Sequence, residues 1–185
     1  MPAPYRVATL VGSLRKASLN RRAARALETL APDSLAFDFV EIGALPLYDE
    51  DLESAPPAAW TAFRDQVRPA DAVLFVTPEY NRSVPGALKN AIDVGSRPYG
   101  RSVWSGKPAG VVSVSPGGLG GFGANHHLRQ SLVFLDMPVM QQPEAYFGNA
   151  GGFFDEAGAL ANPGTEKVMR AFVTAFAGWV ERLAG

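Results

Sequence analysis

The feature that most constrains the fold is the alternation of short, mostly apolar segments with segments whose apolar residues have helical spacing. Strands that are apolar on both faces are typical of parallel sheets covered by helices on both sides. The pattern predicts five strands, at residues 5–11, 35–42, 72–76, 109–114 and 139–142. It also predicts five helices, at residues 19–30, 58–67, 86–94, 124–137 and 166–183. Right-handed crossovers leave few arrangements, and we expect a doubly wound α/β sheet in the order 2-1-3-4-5.

The last predicted helix has apolar side chains that recur every three or four positions, which places them on one face. The members of this face are Val168, Phe172, Phe176, Trp179 and Leu183. We expect the face to pack on the sheet, with a dimer contact as the alternative.

Composition limits the classes of partner. The 185 residues suit a single domain spanning residues 1–185. Lys and Arg number 17 against 18 Asp and Glu, and a net charge of −1 gives no basic field for nucleic acid or an anionic membrane. The sequence contains no cysteine, which excludes disulfides, thiolate catalysis and cysteine-ligated metals. No apolar run reaches the ~20 residues of a membrane helix and no signal-peptide pattern opens the chain, so we expect a cytoplasmic protein.

A ligand of such a sheet is expected beyond the carboxyl ends of the strands, at the switch point between strands 1 and 3. Three loops should meet there, at residues 12–20, 78–86 and 115–123. These loops also have the most unusual compositions in the chain, which makes this edge the candidate site.

The loop after strand 1 has the character of an anion site. Ser13, Ser18 and Asn20 place short polar side chains beside the free N–H groups of a helix start. Arg15 adds a forked donor that matches phosphate oxygens. The alternative is structural, with Ser18 or Asn20 capping the helix and Arg15 in solvent.

The loop after strand 3 is stiffened by Pro78 and Pro85, which fix backbone angles. Tyr80 and Asn81 lie between the two prolines, so the loop presents an aromatic ring and fixed backbone donors. These features suit a flat heteroaromatic ligand. An ordinary proline-rich connection is the alternative.

Taken together, the loops resemble one family. The strings are GSLRKASLN at 12–20, PEYNRSVPGALKNAID at 78–93, SPGGLGG at 115–121 and LPLYDEDLE at 45–53. They are similar to the NADPH-dependent FMN reductases, a group of flavodoxin-like proteins that includes quinone, chromate and azo-dye reductases. The resemblance extends over nearly the whole chain.

The resemblance implies an FMN cofactor at the strand ends and NADPH or NADH as co-substrate. The residues implied around the phosphate are Ser13, Arg15, Ser18, Leu19 and Asn20. Those implied along the isoalloxazine are Pro78, Glu79, Tyr80 and Asn81, partly through backbone atoms. Those implied on the other side of the ring are Ser115, Gly117 and Gly118. The family's subunits form dimers or tetramers, so a homo-oligomer is expected.

The implied activity is ping-pong hydride transfer from NAD(P)H through FMN to quinones, free flavin, chromate or azo-type acceptors. Since the cofactor carries the chemistry, we name no catalytic residue. A flavodoxin-type electron carrier without its own NAD(P)H activity is the alternative, although a net charge of −1 is low for a carrier that docks on basic partners. A flavin-free phosphate-binding module is a third possibility.

Three positions depart from the family pattern. Arg82 stands where tyrosine is frequent, Gly123 replaces an arginine beside the bulky Phe122, and His126 replaces a tyrosine. Arg82 either reaches the nicotinamide dinucleotide or pairs across a subunit contact, for which Glu144 is a candidate. Adjacent histidines at 126 and 127 point in different directions on a helix, so we predict no metal ligand.

Overall fold

The computed structural model describes residues 3–184; residues 1, 2 and 185, which the single-domain prediction includes, lie outside the described residues. Its strands are Tyr5–Val11 (β1), Leu35–Val40 (β2), Ala72–Thr77 (β3), Ala109–Val114 (β4) and Tyr146–Phe147 (β5). They form one parallel sheet in the order β2-β1-β3-β4-β5, which confirms the predicted topology.

Helices cover both faces of this sheet. They are Leu19–Leu30 (α1), Ala58–Val67 (α2), Gly86–Gly95 (α3), Phe122–Phe134 (α4) and Pro163–Ala184 (α5), with 3-10 turns at Glu50–Ser54 and Ala150–Gly152. Because side chains alternate along a strand, β3 sends Val73 and Phe75 into a core with α2, α3 and α4. Leu74 and Val76 enter the opposite core, with α1 and α5. Because all strand pairs are parallel, the carboxyl ends of the strands lie at the same edge of the sheet.

The predicted position of the fifth strand is wrong. Val139 makes only an isolated bridge to Ala109, although it and Met140 are buried. The chain then turns away at Pro143, which has no N–H to donate to a ladder. The strand forms later, where Tyr146 pairs with Ser113.

Helix α4 also differs from its prediction at residues 124–137. It begins at Phe122 and ends at Phe134. The chain cannot continue as a helix beyond this point, because Asp136 has a φ of 58° and Pro138 follows. At its other end, the helix begins at Phe122, within the predicted glycine-rich loop at residues 115–123.

The predicted face of α5 is partly wrong. Phe172 and Phe176 are buried as expected, but Val168 is 50% exposed and Leu183 is 42% exposed. The remaining buried apolar positions are Met169, Val173, Ala177 and Val180. The face that packs on the sheet therefore shares Phe172 and Phe176 with the predicted face, but it includes Met169 in place of Val168. None of the described helices, α5 included, is both long and apolar enough to cross a membrane.

Candidate functional site

The three predicted loops meet at the carboxyl edge of the sheet. Gly12, which follows β1, donates its backbone N–H to Val76 O at 2.9 Å. Asn20 Nδ2 donates to Val114 O at the end of β4, at 3.2 Å. Glu79, which follows β3, accepts from the backbone N–H of Ala124 at 3.1 Å. These bonds fix the loops relative to one another.

The first loop leads into α1, whose N-cap is Ser18. Its Oγ accepts from the Arg21 N–H at 3.2 Å, as the structural alternative for this residue expects. The N–H groups of Leu19 and Asn20, in the first turn, find no acceptor among the described residues. That turn contains no acidic side chain, so the positive end of the helix dipole is not neutralised by its own residues.

The remaining side chains of this loop fall into two groups. Ser13 and Asn20 are both 4% exposed, and Asn20 Oδ1 is buried without a hydrogen-bond partner in the described part of the chain. Arg15 is exposed and makes no ion pair with any described residue. The loop thus combines an exposed guanidinium, unpaired among the described residues, with buried polar side chains.

The second loop folds into a tight turn. Tyr80 and Ser83 exchange two backbone hydrogen bonds of 3.0 Å each. The central residues Asn81 and Arg82 have φ angles of 51° and 63°, as in a type I′ turn. Pro78 is half-buried and Tyr80 is 48% exposed, so the turn offers an accessible aromatic side chain at the edge of the sheet.

Glu79 turns its carboxylate away from the open edge and towards α4. Its side chain is 13% exposed, and while Oε2 accepts from Ala124, Oε1 accepts from Arg82 Nη1 at 3.2 Å. Gly121, the N-cap of α4, has a φ of 76° and no side chain that could cap the helix. Glu79 supplies this cap from the neighbouring loop, which leaves its backbone for contact with a ligand.

The third loop is held by one of its own side chains and by the segment that follows β5. Ser115 Oγ accepts from the Gly117 N–H at 3.1 Å, and Gly117 O accepts from the Asn149 N–H at 3.2 Å. Gly117 and Gly118 are exposed, so their backbone can be approached closely. The loop therefore offers exposed backbone groups at the same edge of the sheet.

A fourth loop reaches the same edge, and sequence reasoning missed the residue that fixes it. Asn90 of α3 is 7% exposed; its Oδ1 accepts from the Tyr48 N–H at 2.8 Å and its Nδ2 donates to Leu45 O and Pro46 O. The loop after β2 thereby packs on α3. The signal in the sequence was an asparagine, Asn90, among the apolar residues of the predicted helix at 86–94.

The departures from the family pattern lie on α4 and in the turn after β3. His126 Nε2 lies 3.0 Å from Tyr146 Oη, which donates to Glu144 Oε1 at 2.8 Å. Burial, the hydrogen bond to Glu144 and the charge of this carboxylate raise the pKa of Tyr146 to about 12. The neighbouring His127 has its Nδ1 3.0 Å from Ser83 Oγ, in the turn after β3. Arg82 pairs with Glu79 in its own loop. Glu144, the candidate partner of Arg82 across a subunit contact, accepts a hydrogen bond from Tyr146 within the chain.

No group of three or more His, Cys, Asp or Glu side chains suited to a metal ion occurs among residues 3–184. The described part of the site is therefore built from backbone donors, amides, hydroxyls and a guanidinium. These groups suit an anionic, hydrogen-bonding ligand with a flat ring.

Comparisons with known proteins find a matching family and relatives of similar length. The model of a family described as NADPH-dependent FMN reductase matches residues 5–152. A quinone reductase of Pseudomonas putida is 66% identical over 182 residues, which is 98% of this chain and 97% of that protein. A 2-hydroxy-1,4-benzoquinone reductase of a Burkholderia species is 46% identical over 175 residues, 95% of this chain and 96% of the relative.

A solved structure is similar over nearly the full length. It is FerB, a flavoenzyme NAD(P)H:(acceptor) oxidoreductase from Paracoccus denitrificans. The TM-score is 0.91 at 41% identity, and the match covers 97% of this chain and 98% of that one. Together with the strand order, this likeness confirms the flavodoxin-like fold.

Proposed function

Since the chain belongs to the NADPH-dependent FMN reductase family, we propose that it is an NAD(P)H-dependent flavoenzyme that reduces quinones at the carboxyl edge of its sheet. The observation that carries the proposal is the junction of three loops there. There the N–H groups at the start of α1, which have no acceptor among the described residues, lie at the same edge as the stiff turn that contains Tyr80 and the glycine-rich loop after β4. The 66% identical relative named as a quinone reductase supports the choice of acceptor.

The residues of the first loop fit the phosphate and ribityl part of FMN. The N–H groups of Leu19 and Asn20 and the guanidinium of Arg15 would donate to phosphate oxygens. Ser13 and Ser18 hydroxyls retain a donor hydrogen for the same group. The buried Asn20 Oδ1, which has no partner among the described residues, would accept from a ribityl hydroxyl.

The other two loops fit the ring. Pro78 and Tyr80 would line one side of it, while the backbone of Glu79 and Asn81 would face its polar edge. The second wall would consist of Ser115, Gly117 and Gly118. Nothing in the described residues beside these loops provides a second binding module for an adenosine half, which favours FMN over FAD.

When bound, FMN supplies the hydride chemistry between NAD(P)H and the acceptor. The chain's own part is to hold the phosphate, fix the ring by backbone contacts and exclude water from the face it covers. No side chain has to act as acid or base in that role, so we assign no catalytic residue. A single site that meets two substrates in turn is consistent with ping-pong kinetics.

Further parts of the proposal come from the family. Free flavin, chromate and azo compounds are candidate acceptors beside quinones, and the working form is a homodimer or homotetramer. We also propose that residues 1–185 form one FMN-binding domain. The cytoplasmic location stays a prediction from the sequence.

Two measurements on the purified protein test the proposal. The chromophore released by denaturation is expected to be FMN, and FAD in its place would contradict the assignment. NADPH oxidation with a quinone is expected without any added reductase. If FMN is present but this oxidation requires a partner protein, the chain is an electron carrier of the flavodoxin type; if the protein binds no flavin, both enzyme and carrier are excluded.

A further inference from the structure

The turn that carries Tyr80 has a conformation that its sequence does not favour by itself. Type I′ turns need positive φ at both central positions, and Asn-Gly is the usual choice. Asn81 tolerates this region, but Arg82, at a φ of 63°, has a Cβ that the left-handed region disfavours. Contacts outside the turn must therefore hold it in place.

Those contacts all lead to the first two turns of α4. Glu79 binds the Ala124 N–H through Oε2 and Arg82 through Oε1. On the other side of the turn, Ser83 Oγ lies 3.0 Å from His127 Nδ1. The backbone approaches closely as well, because a Cβ added at Gly123 would lie 2.8 Å from Arg82 O and 2.8 Å from Glu79 Oε2.

Of these contacts, those of the Glu79 carboxylate reach both the helix and the turn. Its carboxylate caps a helix that has no capping side chain of its own, and it pairs with the strained residue of the turn. The carboxylate is largely shielded from solvent, so a hydrogen bond to it is stronger than an exposed one.

We propose that Glu79 is a positioning residue: its carboxylate fixes the turn Tyr80–Ser83 against α4 and so sets the wall that faces the flavin ring. This inference rests on the proposed function, because it takes the ligand of the edge to be FMN. Glu79 acts through the turn and not by contact of its side chain with the ring. Its loss should weaken binding of the ring, and leave the phosphate contacts of the first loop unchanged.

The experiment compares the affinities of FMN and riboflavin, which share the ring and differ in the phosphate. Full-length holoenzyme is diluted and the recovery of free flavin fluorescence gives each dissociation constant. In Glu79→Ala both dissociation constants should rise about tenfold, as for a lost charge-assisted hydrogen bond. Their ratio should stay that of the unmodified protein, because the phosphate site is untouched.

Three further variants make the result specific. Glu79→Gln keeps an oxygen that can accept from Ala124 and should restore most of the affinity. Arg82→Gly removes the ion pair but suits the positive φ, and should bind both flavins within about twofold of the unmodified protein. Glu166→Ala is the matched control, since Glu166 pairs with Arg170 on the surface of α5 at 2.7 Å.

The inference is overturned if Glu79→Ala binds both flavins as tightly as Glu166→Ala does, or if only FMN is lost. Should Glu79→Ala not fold, Glu79→Asp takes its place, because the shorter side chain cannot span to both partners; unchanged riboflavin affinity in that variant would also overturn it. If the unmodified protein binds neither flavin, the proposed function fails and this inference fails with it.

Discussion

Two polar side chains at the candidate site, Ser18 and Glu79, use their oxygen atoms to cap helix starts. Ser18 caps its own helix, whereas Glu79 caps α4 from another loop. In the proposed FMN site, each cap would also fix backbone donors that face the ligand, beside side-chain donors such as Arg15. Ser18 and Glu79 would therefore combine a structural role with a part in ligand binding.

Arg15 and Ser18 should respond differently to substitution, although both belong to the proposed phosphate site. Arg15→Ala should weaken FMN binding about 5- to 150-fold, leave riboflavin binding nearly unchanged and leave the apoprotein's melting temperature unaltered, because Arg15 has no partner in the described part of the chain. Ser18→Ala should weaken FMN binding too, but also destabilise the apoprotein by about 1 kcal/mol through loss of the cap. Flavin titration and thermal unfolding of each variant measure this; equal losses of FMN and riboflavin with Arg15→Ala would contradict the phosphate role.

The Tyr146 phenol gives a prediction on pH. Its pKa of about 12 lies above the ordinary 10.0, because of burial first and then its hydrogen bond to Glu144. A folded-state pKa above the unfolded value means that the phenol's contribution to stability is complete below pH 10 and is lost as the pH rises through about 12. Subtracting the tyrosinate absorbance titration of Tyr146→Phe from that of the unmodified protein isolates this group. Glu144→Gln should move the isolated midpoint down, and a midpoint of 10.0 in the unmodified protein would refute the environment described.

The meeting of the candidate-site loops could be predicted from the sequence better than the contacts of their side chains. Short polar residues after β1 indicate a helix start, and Ser18 does cap α1. Glu79 and its helix partner Ala124 lie 45 positions apart in the chain, and Asn90 and its partner Tyr48 lie 42 positions apart. No local pattern encodes such pairings, because they arise only when the sheet brings the loops together.

At the scale of elements, the junction of the turn after β3 with α4 depends on Gly123. A methyl group there would meet Arg82 O and Glu79 Oε2, each at 2.8 Å. Gly123→Ala should lower the free energy of unfolding by about 1–3 kcal/mol, despite the better helix propensity of alanine, because the turn must shift. The matched control is Gly86→Ala at the start of α3, where a Cβ would meet nothing within 4 Å and stability should be unchanged or slightly raised. Urea unfolding of the two variants decides, and equal stabilities would contradict the close contact.

The long elements could be predicted from periodicity, whereas the short fifth strand could not. β1, α1, α2 and β4 have the predicted bounds. Residues 139–142 are as apolar as a strand but pair only at one bridge, while β5 has two residues and no period to detect. On α5 two stripes share Phe172 and Phe176, so spacing alone does not distinguish the Val168 side from the Met169 side. The packing of the whole sheet makes that choice.

At the scale of the whole molecule, charge separates an enzyme with small substrates from a protein-docking carrier. The net charge is −1, from 17 basic and 18 acidic residues. Such a chain has little long-range field to steer a protein partner. Its exposed basic groups near the site, such as Arg15, Lys16 and Arg82, act only over about one Debye length, roughly 8 Å at physiological salt.

Reoxidation of the NADPH-reduced protein by a neutral quinone should therefore be almost independent of ionic strength. Coulomb interaction vanishes for an uncharged acceptor, so screening has nothing to weaken, and we expect the second-order rate constant to change by less than about twofold between low and physiological salt. Stopped-flow measurement of the flavin absorbance gives this rate constant at each salt concentration. Chromate, a dianion, is the charged comparison, and equal slowing of both acceptors would show that salt acts on the protein itself. A tenfold or steeper fall with the quinone would contradict the expectation that an uncharged acceptor reaches the edge of the sheet without electrostatic steering.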